Sequence, residues 1–469
     1  MKRPLFSVVI PAYNNAEYLG DAIESILGQT YPHFELIIVN DASPQPVDGV
    51  IHRYSDPRIK YIVHTQNQGL SAARNTGICA STGDFIAPLD GDDYFHPEKF
   101  QRHVDFLQQH PEIGVTYNAR FELNHSAKTI REIWRPSVRV GLAELVQGFP
   151  FSPSDMVLRR EWAFAVNLFD VRHTYVGEDL DINCRLALAG CQFASVDRAL
   201  NYRRYHSRRA LKNLRSCVDD TIRPLTATFS DQRCPPAVLA IKNQALAMHY
   251  LLWSFIACSQ DETGLGQEYC RQAIQLHPSF LAGNPSELLS ILLSFCIVDE
   301  SLDHALLLGR ILDQLRPEVN WTPAQLKWAV GRGYLLRGSR ALLWGRDEDG
   351  KAHFARAATL GAQIDRRFLG QLTAQWLDYE TEFGSDAVRQ VVPKILPELE
   401  KFGGRATLRW LKGHYLVNQA FRSYRAGHYT SVPKEVLGAF ANNPHYLTNR
   451  GVLSILCRSL LGMRYQANG

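Results

Sequence analysis

The sequence has no paired cysteines, no long apolar run and no excess of either charge. Its nine cysteines, Cys79, Cys184, Cys191, Cys217, Cys234, Cys258, Cys270, Cys296 and Cys457, are scattered, odd in number and never spaced as C-x-x-C. That argues against a disulfide framework or a zinc site and reads as reduced, mostly buried thiols in a cytoplasmic protein. With 51 Lys and Arg against 47 Asp and Glu, the formal net charge is only +4. A polyanion binder shows a strongly basic face, so nucleic acid is not an expected partner. The longest apolar stretch, near Ala245 to Ala257, contains His249. It falls short of the ~20 residues that span a bilayer. Behind Lys2 and Arg3, Pro11 stops the first apolar run too early for a signal peptide. The expectation is a soluble, cytoplasmic chain with no signal peptide and no transmembrane helix. Peripheral contact with a membrane surface stays open.

What is present is a chain of 469 residues, too long for one compact core. Its first half alternates two periodicities. Phe6–Ile10, Glu35–Val39, Ile59–Val63 and Asp84–Leu89 are short β-branched or apolar runs that predict strands. Ala16–Leu27 places Tyr18, Leu19, Ala22, Ile23, Ile26 and Leu27 at helical spacing, and Leu70–Ile78 also predicts a helix. Strand, helix, strand, helix implies an α/β domain with a mostly parallel sheet. Ligands bind such sheets beyond the carboxyl ends of the strands. Pro11–Asn14, Asn40–Ser43 and Asp90–Asp93 all fall there.

From about Ser216 the strand signals vanish and helical periodicity takes over. Asn284-Pro285-Ser286-Glu287 predicts a helix start with Asn as N-cap, Pro first and Glu in the first turn. "KAHFARAATL" (351–360) and "QAFRSYRAG" (419–427) have the small-plus-aromatic composition of helical hairpins, although no fixed repeat period emerges. Pro224, Pro235 and Pro236 cluster near the change. The expected layout is a catalytic domain over 1–215, a linker over 216–235 and an α-helical domain over 236–469.

"DFIAPLDGDDYFHP" (84–97) carries three carboxylates, Asp90, Asp92 and Asp93, within four positions. Like charges this close raise one another's pKa, so a compensating partner is expected. Oxygen ligands on a turn tightened by Gly91 suit Mg²⁺ or Mn²⁺. A D-x-D motif alone also describes an ordinary solvated turn.

The companions of that turn are more specific. "SVVIPAYNN" (7–15), "FELIIVNDAS" (34–43), "NQGLSAARNTGI" (67–78) and "GDFIAPLDGDD" (83–93) follow one another in order, and "YVGEDLDINCRLALAG" (175–190) comes later. Together they resemble the family 2 glycosyltransferases, inverting enzymes of the GT-A fold, over about the first 210 residues. The resemblance implies a GT-A nucleotide-diphospho-sugar transferase domain followed by an all-α region. It implies that Pro11, Ala12, Tyr13 and Asn14 line a nucleotide pocket, with Tyr13 stacking on the base and Asp41 accepting a hydrogen bond from it. Arg74 would face the nucleotide or its diphosphate, Asp90 the ribose and Asp93 the donor sugar, while Asp92 would ligate the metal. Asp179 would act as base on the acceptor hydroxyl, with Glu178 beside it. After that helix comes "NYRRYHSRRA" (201–210), where His206 is a candidate metal ligand or diphosphate contact. Each residue also has an ordinary reading: Tyr13 as packing, Asp41 as a turn cap, Arg74 and Arg185 as ion-pair residues. Glu178 and Asp179 would then be helix-start acids favoured by the dipole. The run Arg203, Arg204, Arg208, Arg209 would be a solvated face, or a clamp for diphosphate or anionic lipid.

The resemblance therefore implies a metal-dependent inverting transfer from a nucleotide-sugar to a glycan, lipid-linked or protein acceptor, with Mn²⁺ or Mg²⁺ as cofactor. Such chemistry fits cell-surface polysaccharide or glycoconjugate synthesis. A uridine donor is favoured, with guanosine and thymidine donors open. The alternative is an inactive GT-A-like scaffold acting through its helical half, which could also recruit protein partners. A nucleotidyltransferase is disfavoured because "IPAYNNAEYLG" lacks a glycine-rich phosphate loop with basic residues.

Overall fold

The computed structural model describes residues 3–124, 129–205 and 213–461. Contacts divide the chain into two compact units, Met1–Trp321 and Thr322–Gly469.

The first unit opens with β1 (Phe6–Ala12), α1 (Ala16–Leu27), β2 (Phe34–Asn40), α2 (Val47–Ile51), β3 (Ile59–Val63), α3 (Leu70–Cys79) and β4 (Phe85–Pro88). These agree closely with the strands and helices expected from periodicity. Next come β5 (Tyr94–Phe95), α4 (Lys99–Gln109), β6 (Ile113–Leu123), β7 (Ile130–Trp134), α5 (Leu142–Gln147), β8 (Met156–Arg159), α6 (Arg160–Ala165), α7 (Glu178–Leu188) and β9 (Gln192–Arg204). The nine strands form one sheet in the order β3-β2-β1-β4-β8-β6-β9-β5, with β7 on β6. The section β3-β2-β1-β4 is parallel. β8 runs antiparallel to β4 and β6, and β9 returns parallel to β6. β1 is the first strand built and lies between β2 and β4, so the order reverses beside it. The crevice at such a reversal is the usual ligand site.

Every residue of β1 is buried, because helices cover both faces of the sheet. Phe6, Val8, Ile10 and Ala12 point into a core shared with Leu19, Ala22, Ile23 and Ile26 of α1 and with Phe100, Val104 and Leu107 of α4. Val9 points the other way, into a core with Ile78 and Ile86. Both faces being apolar explains why these strands read as continuous hydrophobic runs rather than alternating ones.

The stretch read from sequence as a linker is helix α8 (Leu214–Ser230), followed by α9 (Pro236–Ala240), α10 (Lys242–Ser259), α11 (Thr263–Leu276), α12 (Glu287–Cys296) and α13 (His304–Gln314). Leu225, Phe229, Cys234, Val238 and Ala245 share one core with Val9, Ile86 and Val115 of the sheet. His249 of α10 meets the Val146 carbonyl at 3.1 Å. The compact unit thus runs well past residue 235: a proline cluster signalled a change of composition, while burial of apolar side chains sets the boundary. Helix α12 begins at Glu287 with Ser286 as its N-cap, its hydroxyl accepting from the Leu289 amide at 3.3 Å. The expected Asn284 cap is two residues early, since Ser286 supplies the first oxygen in reach of the helix amides.

The second unit contains α14 (Pro323–Leu343), α15 (Asp347–Thr359), α16 (Arg366–Phe383), α17 (Ser385–Arg425), α18 (Val432–Asn442) and α19 (Arg450–Leu460). α17 is two helices joined at Gly404, whose φ of 67° breaks the ladder. Thr322 caps α14 in a capping box, its hydroxyl taking the Gln325 amide while Gln325 returns a bond to the Thr322 amide. "KAHFARAATL" lies on α15, against α14, and "QAFRSYRAG" ends α17, against α18, so both are halves of helical hairpins. Among the described residues, no helix is long and apolar enough to cross a membrane. Seven of the nine cysteines are buried, with Cys79 and Cys457 exposed.

Candidate active site

Three loops leave the carboxyl ends of β1, β2 and β4, and each is fastened to another. The Asp41 amide donates to the Ala12 carbonyl at 3.1 Å, and the Asn14 amide to the Ser43 hydroxyl at 3.1 Å. Pro11 and Ala12 belong to β1 and are buried, whereas Tyr13 is 45% exposed and Asn14 also reaches solvent. Asn14 has a φ of 56°, a left-handed value that asparagine tolerates better than most residues. Gly91 backs directly onto this loop. A Cβ there would lie 2.1 Å from Asn15 Nδ2 and 3.3 Å from the Pro11 carbonyl, so a larger residue must push the Asn15 side chain aside and crowd the end of β1.

Asp41 is 2% exposed and its carboxylate is engaged. It accepts from the amides of Gln68 and Gly69, both at 2.8 Å, and meets His64 Nδ1 at 2.7 Å. The other nitrogen of His64 meets Thr76 Oγ1 at 2.9 Å. Asp41 therefore ties the loop before α3 to β2. His64 escaped the sequence reading because a lone histidine at a strand end carries no pattern.

Arg74 on α3 is 1% exposed. It donates to Asp90 Oδ1 at 2.6 Å and to Glu178 Oε1 at 2.6 Å. This one guanidinium joins the D-G-D-D turn to the Glu-Asp pair at the start of α7. The structure assigns it to those carboxylates, where sequence reasoning had it face the nucleotide or be a surface ion pair. A fully buried cation requires such partners.

The three aspartates of the turn differ. Asp90 is 31% exposed at its side chain and Asp92 is half-buried. Asp93 is 2% exposed and points inward. Its oxygens accept from Ser154 Oγ at 2.8 Å and from the Arg204 amide at 3.2 Å. Burial first, then the charges of Asp92 and Asp90, hold its carboxyl well above the usual range. Asp93 thus lies behind the turn, braced by Ser154 and Arg204.

Glu178 is buried and Asp179 half-buried at the N-terminus of α7. Gly177 precedes them with a φ of 84°, and a Cβ there would strike the Asp220 carbonyl at 2.7 Å. Burial, and next the charge of Glu178, push the Asp179 carboxyl up to about 7. Asp220 of α8 accepts from the amides of Thr174 and Tyr175, both at 3.0 Å, and so holds the segment leading into the pair. Arg185 bonds Asp181 and the carbonyls of Val166 and Leu168, which resolves it as a structural ion-pair residue.

Nor is the basic run that begins at the end of β9 a solvated face where it is described. Arg204 is 6% exposed; it binds Asp21 and donates to the Asp92 carbonyl at 2.7 Å. Arg203 meets Glu122 at 3.3 Å. His206, Arg208 and Arg209 lie outside the described residues.

Asp90 and Asp92 offer hard oxygen donors on one turn, both part-exposed, which fits Mg²⁺ or Mn²⁺ and not a soft metal. A second cluster, Asp170, His173 and Asp181, brings three ligand atoms within 4.8 Å of one another. Asp170 and Asp181 are already paired with Arg172 and Arg185, so this group is charge-balanced without an ion. An open groove of about 910 Å³ lies elsewhere, lined by Phe106, Ile113, Leu188 and Phe193 near the amino ends of β6 and β9.

The family model for glycosyl transferase family 2 matches residues 7–164. An uncharacterized glycosyltransferase of Haemophilus influenzae is 30% identical over 175 residues, covering 37% of this chain and 69% of the relative. The chain belongs to glycosyltransferase family 2. EpsE of Bacillus subtilis is likewise 30% identical over 209 residues, 42% of this chain and 72% of its own. The match to EpsJ of the same organism is 41% identical but spans only 23% of this chain and 31% of EpsJ. Among solved structures, Staphylococcus aureus TarS 1-349 with UDP-GlcNAc aligns at a TM-score of 0.47 and 17% identity, over 66% of this chain and 89% of that one. The family match ends before Glu178, so the Glu-Asp pair is placed by the fold rather than by that model.

Proposed function

We propose that the protein is an inverting glycosyltransferase, moving a sugar from a nucleotide-diphospho-sugar to an acceptor hydroxyl. The observation that carries this is the Arg74 bridge, which brings Asp90 and Glu178 to one guanidinium from distant parts of the sequence. Donor and acceptor chemistry need that proximity, because a near-attack arrangement supplies much of the rate. The exposed Tyr13 ring is suited to stacking on a base, and UDP is the favoured nucleotide. Pro11, Ala12 and Asn14 would approach it through the backbone and polar atoms of the loop, beside Asp41.

Asp90 and Asp92 would hold Mn²⁺ or Mg²⁺. When bound, the ion supplies positive charge against the leaving diphosphate. Asp179 takes the proton from the acceptor hydroxyl, and a carboxyl poised at about 7 suits that task near neutral pH. Glu178, held by Arg74, keeps Asp179 raised and orients the start of α7. The hydroxyl oxygen forms its bond to the anomeric carbon as the diphosphate oxygen leaves from the opposite face. One displacement inverts the configuration. Polysaccharide or glycoconjugate synthesis is the setting this chemistry fits.

The test is titration calorimetry with UDP, GDP and TDP, with and without Mn²⁺, followed by mass spectrometry of donor turnover. Manganese-dependent binding of one nucleotide and donor consumption lost in both Asp92→Asn and Asp179→Asn is the expected result. Absence of binding to all three would instead favour a scaffold acting through its helices.

A further inference from the structure

The side chains that touch a ligand in this site sit on a turn, and a turn must be held. The aspartates of the D-G-D-D turn are fastened from behind by two residues, Ser154 and Arg204. The Asp90 amide donates to Ser154 Oγ at 3.1 Å. Ser154 Oγ donates in turn to Asp93 Oδ2 at 2.8 Å. The Asp92 carbonyl is taken by Arg204 at 2.7 Å. Within the turn, the Asp93 amide reaches the Asp90 carbonyl at 3.0 Å.

The Ser154 hydroxyl reaches both ends of the turn, and Ser154 is fully buried. Its own position is fixed. It lies in a 3₁₀ turn (Pro153–Asp155) whose Asp155 binds Arg120 at 2.6 Å and the Ser152 amide at 2.6 Å. Beneath it, the fully buried Lys99 donates to the Ser154 carbonyl at 3.0 Å and to Asn118 Oδ1 at 2.5 Å. Lys99 Nζ also lies 4.5 Å from the Phe95 ring centroid. Ser154 and Lys99 are both fully enclosed, so neither lies on the open side of the turn. They can only set where Asp90 and Asp92 stand.

We propose that Ser154, supported by Lys99, is a positioning residue that pre-organises the D-G-D-D turn for a divalent cation and its nucleotide diphosphate. The inference rests on the reading that Asp90 and Asp92 hold that cation. A ligand turn already in its bound conformation loses less conformational freedom on binding. Removing the hydroxyl leaves the Asp90 amide and the Asp93 carboxyl without their shared partner, and the turn relaxes.

The experiment uses the full chain and measures UDP affinity by calorimetry with and without Mn²⁺, for wild type, Ser154→Ala, Lys99→Met and Ser25→Ala. Ser25 is the control. Its hydroxyl takes the nearby Phe95 amide at 3.1 Å, a part-buried bond of the same length as the one from the Asp90 amide, but it does not touch the turn. Ser154→Ala is expected to weaken Mn²⁺-dependent UDP binding about tenfold, or about 1.4 kcal/mol, with metal-free UDP binding unchanged. Lys99→Met is expected to weaken it about threefold, and Ser25→Ala to leave it at the wild-type value. Retention of wild-type Mn²⁺ dependence in Ser154→Ala overturns the proposal. So does an equal loss in Ser25→Ala, which would make the effect one of general stability. If Ser154→Ala does not fold, Lys99→Met decides alone, and no change there overturns it. A wild-type protein that binds UDP without regard to Mn²⁺ overturns the cation reading itself, a separate result.

Discussion

Asp179 and Asp93 are both carboxyls held above their ordinary range, and the geometry gives them opposite roles. Asp179 faces its surroundings half-buried, with Glu178 and Asp90 raising its pKa and Arg74 lowering it. In the proposed mechanism the active form is the carboxylate, so kcat/KM should rise with pH and level off above about 7. Glu178→Gln removes a charge that raises the pKa, so the acid limb should move to lower pH. A pH–rate profile of both proteins checks this, and an unmoved or alkaline-shifted limb would contradict the assignment. The same raised pKa works against stability, which falls as pH climbs from the ordinary carboxylate range to about 7. Asp179→Asn should therefore melt higher than wild type at pH 8 while losing turnover. Asp93, by contrast, is sealed behind the turn. Asp93→Asn should keep Mn²⁺-dependent UDP binding within about threefold, whereas Asp92→Asn should lose at least about tenfold. Equal losses would show that Asp93 touches the ligand after all.

At the scale of elements, polar side chains placed inside the sheet fix how the site-bearing strands meet. Glu35 of β2 accepts from Ser7 of β1 at 2.6 Å, from Lys60 of β3 at 2.6 Å, and from the amide and hydroxyl of Thr82 before β4. Burial alone would raise its pKa, but the bonds from Lys60, Ser7 and Thr82 prevail and hold it at about 2. A depressed carboxylate contributes stability above its unfolded pKa and loses it as pH falls toward 2. Glu35→Gln should thus cost about 1–3 kcal/mol at pH 7. In urea melts the gap from wild type should shrink as pH drops below 4. The other element contact is the D-G-D turn against the loop after β1. Gly91→Ala puts a methyl 2.1 Å from Asn15 Nδ2. It should displace the Asn15 side chain and weaken nucleotide binding in calorimetry while far-UV circular dichroism stays near that of wild type.

At the scale of the molecule, the sheet unit extends through helices that a sequence boundary near 215 would remove. Leu225, Phe229 and Ala245 fill the same core as β1, β4 and β6. A chain ending near residue 230 should aggregate or fail to melt cooperatively. A chain ending at Trp321 should fold and bind nucleotide with Mn²⁺ as the full protein does. Cooperative melting of the shorter chain with intact binding would refute this.

Sequence alone determined the elements whose physics is local. β1 to β4 and α1 were legible because strands covered on both faces must be continuous apolar runs, and α1 must repeat every three to four residues. The D-G-D-D turn was legible because carboxylates crowd there against their own repulsion, and the Glu-Asp pair because of its place in the family resemblance. What periodicity cannot carry is which buried polar group meets which. That Arg74 would bridge two carboxylates, and that Asp93 would be braced behind the turn, depended on residues far off in the chain, Glu178, Ser154 and Arg204. Ser154 and Lys99 gave no signal at all, since a serine in a loop and a lysine on a helix are ordinary until the fold buries them. The domain boundary was hidden for the same reason: helical periodicity shows that a face will be covered, and only tertiary packing decides by what.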